Sequence, residues 1–182
     1  MMKKLLDYLY YKFEIISNYI GIFAWAYILI HKSAVIKEIE LAHILQSDKV
    51  LHIGCGGIPY TALIISKEKN AKVIGIDNNP NAVKIAKEYL KNAKTFDNIE
   101  IKNGDGANYD VSHFDVIIIA YGVDEQEKIL KNVLSSMNKQ VRLILRKSTL
   151  EKNEHVTEII KDISIFSKRL LLTQESVLII KK

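Results

Sequence analysis

The chain has 182 residues, 48% of them hydrophobic and 26% charged, with a formal net charge of +5. That is ordinary globular composition, enough for one domain with a real core. A single cysteine, Cys55, excludes an internal disulfide framework and points to a reducing, cytoplasmic setting. The 26 basic residues alternate with 21 acids rather than clustering, which favours a solvated surface over a nucleic-acid stripe.

Residues 3–46 read as helical, with no proline and only Gly21 as a breaker. Tyr19 to Ile30 is an apolar run that includes Phe23, Trp25 and Tyr27. A spanning helix needs about 20 apolar residues, and this run is shorter. A signal peptide fits poorly, because Asp7 and Glu14 separate the basic start from the run. A helix buried against the domain or a second subunit is preferred, then a membrane-surface helix. The segment 1–46 is thus expected to act as a lid or dimerisation element. A homodimer through this helix would cover the aromatic patch. Light scattering that finds only monomer at micromolar concentration would remove that expectation.

From Lys49 short β-type runs alternate with helical stretches. The expected strands are Val50–Ile53, Lys72–Ile76, Ile99–Lys102, Val116–Ile119, Val141–Leu145, Ile165–Leu172 and Val177–Ile180. The expected helices cover 59–69, 80–94, 124–137 and 154–162. Five strands separated by helices predict an α/β fold with a Rossmann-like, doubly wound parallel sheet. The last two runs are separated only by Thr173 to Ser176 and predict an antiparallel hairpin. The domain is expected to span 47–182.

Of eight glycines, all but Gly21 lie between residues 54 and 122. Most fall just after strands, and open α/β sheets bind ligands outside their strands' carboxyl ends. Three motifs follow successive strands. The first is Val50-Leu51-His52-Ile53-Gly54-Cys55-Gly56-Gly57, an apolar strand entering a glycine turn. Gly54, Gly56 and Gly57 would let the backbone approach a ligand, with Cys55 a small lining residue rather than a nucleophile. The second is Gly75-Ile76-Asp77-Asn78, with the acid about 20 residues further on. There a carboxylate can accept both ribose hydroxyls, or else cap the helix that starts at Pro80. The third is Asn103-Gly104-Asp105-Gly106, where Asp105 faces an adenine amino group or simply closes a turn. Pro59 stands where a dinucleotide site would carry its third glycine. The set therefore favours S-adenosylmethionine (SAM) over NAD, with Gly54, Cys55, Gly56, Gly57, Asp77, Asn78, Gly104, Asp105, Gly106 and Ala120 as its contacts. The five histidines show no metal-ligand spacing, so no metal is expected.

Residues 49–182 resemble the class I SAM-dependent methyltransferases, whose layout is a seven-stranded sheet with an antiparallel C-terminal hairpin. Within that group they are most similar to the nicotianamine synthases. The resemblance rests on Gly57-Ile58-Pro59-Tyr60-Thr61 after the first strand, on Leu145-Arg146-Lys147-Ser148-Thr149 ending the fifth, and on Glu175-Ser176-Val177-Leu178 in the last. Enzymes of that family move the 3-amino-3-carboxypropyl group of SAM to an amine and release methylthioadenosine.

The resemblance also implies a glutamate in the helix before the first strand, near the transferred amine. Glu40 is the first match and Glu38 the second; a charged helix face with Lys37 is the alternative. Arg146, at the end of a central strand, would bind a substrate or SAM carboxylate or else form a surface salt bridge. Tyr121 follows the fourth strand, where methyltransferases meet the reacting centre; it would orient a substrate or pack over the sheet. That corner lacks the Asn/Asp-Pro-Pro-Tyr/Phe motif of many amino-methylating enzymes. His52 stands where methyltransferases often carry an acid. The helical segment before the first strand is short for a nicotianamine synthase.

The expected function is therefore SAM-dependent alkylation of a small amine- or carboxylate-bearing molecule, with Glu40, Tyr121 and Arg146 facing the acceptor. Aminocarboxypropyl transfer is preferred and methyl transfer is the alternative. A non-catalytic SAM-fold binding module and a nucleic-acid methyltransferase are further readings; the second is not encouraged by the charge pattern.

Overall fold

Runs rich in valine and isoleucine form strands because branched side chains pack well on a pleated surface. A computed structural model describes residues 21–93, 97–148, 164–169 and 174–180. In chain order the elements are α1 (Gly21–Leu41), β1 (Lys49–Ile53), α2 (Tyr60–Lys69), β2 (Lys72–Asp77) and α3 (Pro80–Ala93). They continue with β3 (Ile99–Asn103), β4 (Val116–Ile119), α4 (Gln126–Ser136), β5 (Arg142–Ser148), β6 (Ser164–Arg169) and β7 (Gln174–Ile180). The helix expected at 154–162 lies outside the described residues.

The strands form one seven-stranded sheet in the order β3-β2-β1-β4-β5-β7-β6. β1 to β5 are parallel, and β7 runs antiparallel between β5 and β6. This is the Rossmann-like sheet with an antiparallel C-terminal hairpin that the sequence predicts. The strand order reverses between β1 and β4, so the crevice at their carboxyl ends is the topological switch point. Alternate side chains feed two cores. Leu51, Ile53, Ile117 and Leu143 meet Leu130 and Val133 of α4. Val50, Val73, Ile118 and Ile144 meet Val35 and Ile39 of α1, Ile65 of α2 and Ala86 of α3.

Helix α1 buries one stripe: Tyr27, then Ala34 and Val35, then Glu38 and Ile39, continued by Ala42 just past its end. The three-to-four spacing is that of a single helix face. Trp25, Leu29 and Ile30 point outward at 63%, 45% and 65% exposure. Of the apolar run's described side chains, Trp25 to Ile30, only Tyr27 is buried. Among the described residues no helix is long and apolar enough to cross a membrane.

Two arginines of β5 fix the position of α1. They are four residues apart and so lie on one face of the strand. Arg142 Nη1 donates to the carbonyls of Ala42 and His43 at 3.0 and 2.8 Å, and its Nη2 pairs with Asp48 at 2.7 Å. This closes the carbonyl end of the helix, where positive charge is favoured. Arg146, further along the strand, pairs with Glu38, one turn earlier in the helix. The helix therefore runs antiparallel to β5, and its preceding turns, with His31 and Tyr27, rise towards the carboxyl edge of the sheet. There Tyr27 packs on Ile58 of the glycine loop, and its ring meets Tyr60 edge-on with centroids 5.4 Å apart.

Candidate functional site

The glycine turn leaves β1 through two left-handed residues, Gly54 at φ +79° and Gly56 at φ +67°. A side chain would be strained at either, and a Cβ on Gly54 would collide with Val123 from the loop after β4. The turn is tied to β2, since the N–H groups of Gly54 and Cys55 donate to the Ile76 carbonyl at 2.8 and 3.0 Å. Asp77 completes the tie. Its Oδ2 accepts from the Gly56 N–H at 2.9 Å and its Oδ1 from the Asn79 N–H at 3.0 Å. Each carboxylate oxygen has a second lone pair, and Asp77 is half-buried rather than sealed. Capping the turn and receiving ribose hydroxyls are thus compatible roles for this acid.

The other candidate contacts line the same edge. Cys55 and Gly57 are buried within the turn, and Asn78 is exposed at the end of β2. The Gly104 N–H donates to the Asp77 carbonyl at 3.0 Å, which brings the loop after β3 beside β2. Asp105 is exposed, and its Oδ1 accepts from the Ala107 N–H at 2.9 Å, the turn-closing role. A Cβ on Gly106 would strike Ile53, so glycine is needed there for packing. Ala120 and Tyr121 are half-buried at the end of β4. Two side chains of α4 that sequence reasoning missed hold these loops. Asn132 Nδ2 donates to the carbonyls of Gly106 and Tyr109 at 2.9 and 3.0 Å. Gln126 Nε2 donates to those of Ala120 and Arg146 at 3.3 and 3.0 Å, joining the ends of β4 and β5.

A second cluster adjoins the turn. Arg146 is buried, and its Nε and Nη2 grip Oε1 and Oε2 of Glu38 at 2.8 and 2.6 Å. This is the bidentate fork that guanidinium geometry favours. Nη2 also donates to Thr61 Oγ1 at 3.0 Å, and Nη1 to the Tyr60 hydroxyl at 3.1 Å. Ser176 Oγ donates to Glu38 Oε1 at 2.6 Å. Burial works against the Arg146 charge, but the carboxylate of Glu38, aided by Tyr60 and Tyr27, outweighs it and holds the group above its ordinary pKa. The acid that meets Arg146 is thus Glu38, the second match, while Glu40, the first, is exposed on another face of α1. Two residues apart on a helix means about 200° of rotation, so only one of the pair can face the sheet. Arg146 grips a protein carboxylate, not a surface partner.

A cleft with room for about one water molecule lies between His31, Ala34, Val35, Glu38, Tyr60, Arg146 and Ser176. His31 was not singled out by its sequence context. Its Nδ1–H donates to the Tyr27 carbonyl at 2.8 Å, and its ring lies 4.4 Å from that of Tyr27 and 4.5 Å from that of Tyr60. Burial lowers its pKa most; the bond to Tyr27 opposes this, and Arg146 lowers it further. Below the cleft, His52 on β1 is fully enclosed. Among the described residues it alone has buried side-chain nitrogens without a hydrogen-bond partner. Burial, then Arg146, holds its pKa well below the ordinary histidine value. Among the described residues no group of histidines, cysteines and acids could hold a metal.

Residues 44–174 match a family model described as a methyltransferase domain. The chain belongs to this methyltransferase family. The chain is 30% identical over 120 residues, 65% of its length, to a probable cobalt-precorrin-6B C(15)-methyltransferase (decarboxylating) of Methanobrevibacter smithii. It is 27% identical over 116 residues, 60% of its length, to an L-histidine 2-aminobutanoyltransferase of Yersinia pestis. It spans 58% and 41% of those two relatives' lengths. Among solved structures, the nicotianamine synthase MtNAS in complex with MTA and tNA aligns with a TM-score of 0.73, at 18% identity over 86% of this chain and 62% of that one. An RNA methyltransferase from Salinibacter ruber, in complex with S-adenosyl-L-homocysteine, aligns at 0.64 and 18% identity, over 82% of this chain and 91% of that one. At such identities the likeness is one of fold.

Membership of the methyltransferase family carries SAM as the co-substrate of this domain, and the residues present fit it. The two left-handed glycines keep side chains out of the turn, and Asp77 has acceptor capacity to spare beside it.

Proposed function

We propose that the protein transfers a carbon group from SAM to a small amine- or carboxylate-bearing acceptor, and that the group is 3-amino-3-carboxypropyl. One observation carries this reading. The segments on which the nicotianamine synthase resemblance rests come from distant parts of the chain, yet Thr61, Arg146 and Ser176, one from each, meet around Glu38, the second match for the implied glutamate. Glu38, Thr61, Arg146 and Ser176 form one buried hydrogen-bonded network beside the glycine turn. A general methyltransferase fold does not require such a network. The relative whose name specifies 2-aminobutanoyl transfer supports the same direction. Methyl transfer is the second reading, favoured by the family description and by the cobalt-precorrin relative.

When bound, SAM supplies an electrophilic carbon on a sulfonium, and the two readings differ in which carbon is displaced. The enzyme's task is to position the acceptor and exclude water. In this assignment Gly54, Gly56 and Asp77 hold the nucleoside, while Asp105 and Ala120 border it. Glu38 and Arg146 shape the acceptor side, with Tyr121 at the mouth; Glu40, being exposed, is left out.

Purified protein incubated with SAM and an amine pool should form methylthioadenosine. Formation of S-adenosylhomocysteine instead would move the assignment to methyl transfer. Asp77→Ala should weaken SAM binding at least tenfold by calorimetry, from roughly 1.5–3 kcal/mol for hydrogen bonds to a charged group. An unchanged affinity would remove Asp77 from the site.

A further inference from the structure

We propose that His31 is the proton acceptor for the attacking amine, and that the cleft it lines receives the amine end of the acceptor rather than a carboxylate. This rests on the transfer reading above and adds a residue and a substrate polarity to it.

A carbonyl can only accept, so the contact with Tyr27 places the proton of neutral His31 on Nδ1. That leaves the lone pair on Nε2, at the opposite edge of the ring, with no hydrogen-bond partner among the described residues. The ring packs against both the Tyr27 and Tyr60 rings, which restricts its orientation. Every other ionisable group facing it is committed. Both Glu38 oxygens accept from Arg146, and one also accepts from Ser176. The Tyr60 hydroxyl accepts from Arg146 as well. Arg146 is thus matched by Glu38 within the protein, and the cleft offers no spare cation to an incoming carboxylate. It offers a neutral imidazole with an open lone pair, and both burial and Arg146 keep that imidazole unprotonated at neutral pH.

An amine arriving in this cleft attacks through its nitrogen lone pair. The new C–N bond forms as the C–S bond breaks, and the bonding pair returns to sulfur, which leaves as a neutral thioether. The nitrogen then carries one proton too many, and Nε2 of His31 takes it. The imidazolium formed is disfavoured by burial and by Arg146, so it passes the proton on to solvent.

The test uses the full chain, SAM and an equimolar pool of the proteinogenic amino acids, comparing wild type with His31→Gln and His31→Ala. Nucleoside thioether formation at pH 7 should fall by about 100-fold or more in both variants, the scale of lost general-base catalysis. Calorimetric SAM affinity should stay within about twofold. The wild-type rate should rise with pH through the His31 titration, and the variants should lack that limb. Nitrogen-15 NMR of the wild-type rings should show His31 neutral at pH 7 with its proton on Nδ1. Variants as active as wild type with the same pH profile would overturn the role of His31 and leave the transfer reading standing. So would a proton on Nε2. A wild type that binds SAM but consumes it with no amine in the pool would overturn both.

Discussion

Glu38→Ala should destabilise the protein by roughly 3–5 kcal/mol, the cost of leaving a buried charge unpaired. Arg146 would keep its guanidinium inside the protein with Glu38 gone, and Ser176 would lose its acceptor. The same truncation at exposed Glu40 should stay within about 0.5 kcal/mol. The pair Glu38→Leu with Arg146→Met should recover most of the loss, because a buried ion pair can often be replaced by apolar groups of similar volume at little cost. Urea unfolding of Glu38→Leu, of Arg146→Met and of the double variant gives the coupling energy directly. A double variant as unstable as the sum of the singles would mean that the residues do not act as a pair. If stability recovers while thioether formation is lost, the network serves the acceptor and not merely the fold.

The sheet and the glycine turn were legible because their signals are local. Valine- and isoleucine-rich runs, glycines just past them and Asp77 closing β2 each declare themselves within a few residues. The contest between Glu38 and Glu40 was not local. Helix α1 is apolar on more than one side, with Trp25, Leu29 and Ile30 outside and Ala34, Val35 and Ile39 inside. Its own sequence therefore does not say which side faces the sheet. Arg142 and Arg146, about 100 residues later, make that choice by gripping Ala42, His43 and Glu38. Arg146 was recognisable from its place at a strand's end, but its partner was not. His31 was hidden for the same reason: a lone histidine near an apolar run gains meaning only when Tyr60 and Arg146 are folded against it. Gln126 and Asn132 act on loop carbonyls and carry no sequence signature of that role.

The protein should also lose stability in mild acid, and His52 should be the main cause. In the unfolded chain this imidazole binds a proton near pH 6.5, whereas in the folded chain burial and Arg146 hold its pKa well below that value. Between the two the unfolded state binds more protons, so the folding free energy weakens as pH falls. The slope is up to about 1.4 kcal/mol per pH unit for one such group. Above about pH 7 it vanishes, because His52 is neutral in both states. His31 shifts in the same direction, but it is only partly buried and contributes less. His52→Leu removes the titration along with two unpartnered nitrogens. It should flatten the acid limb and raise neutral-pH stability by roughly 1–3 kcal/mol, the usual cost of an unsatisfied buried polar group. Urea titrations at several pH values between 5 and 8 would measure both effects. A variant with the wild-type acid slope would place the proton uptake elsewhere. If neutral-pH stability falls instead, His52 fits its pocket better than leucine does. In that case its shape, together with the Arg146–Glu38 pair above it, is part of what holds α1 against the sheet.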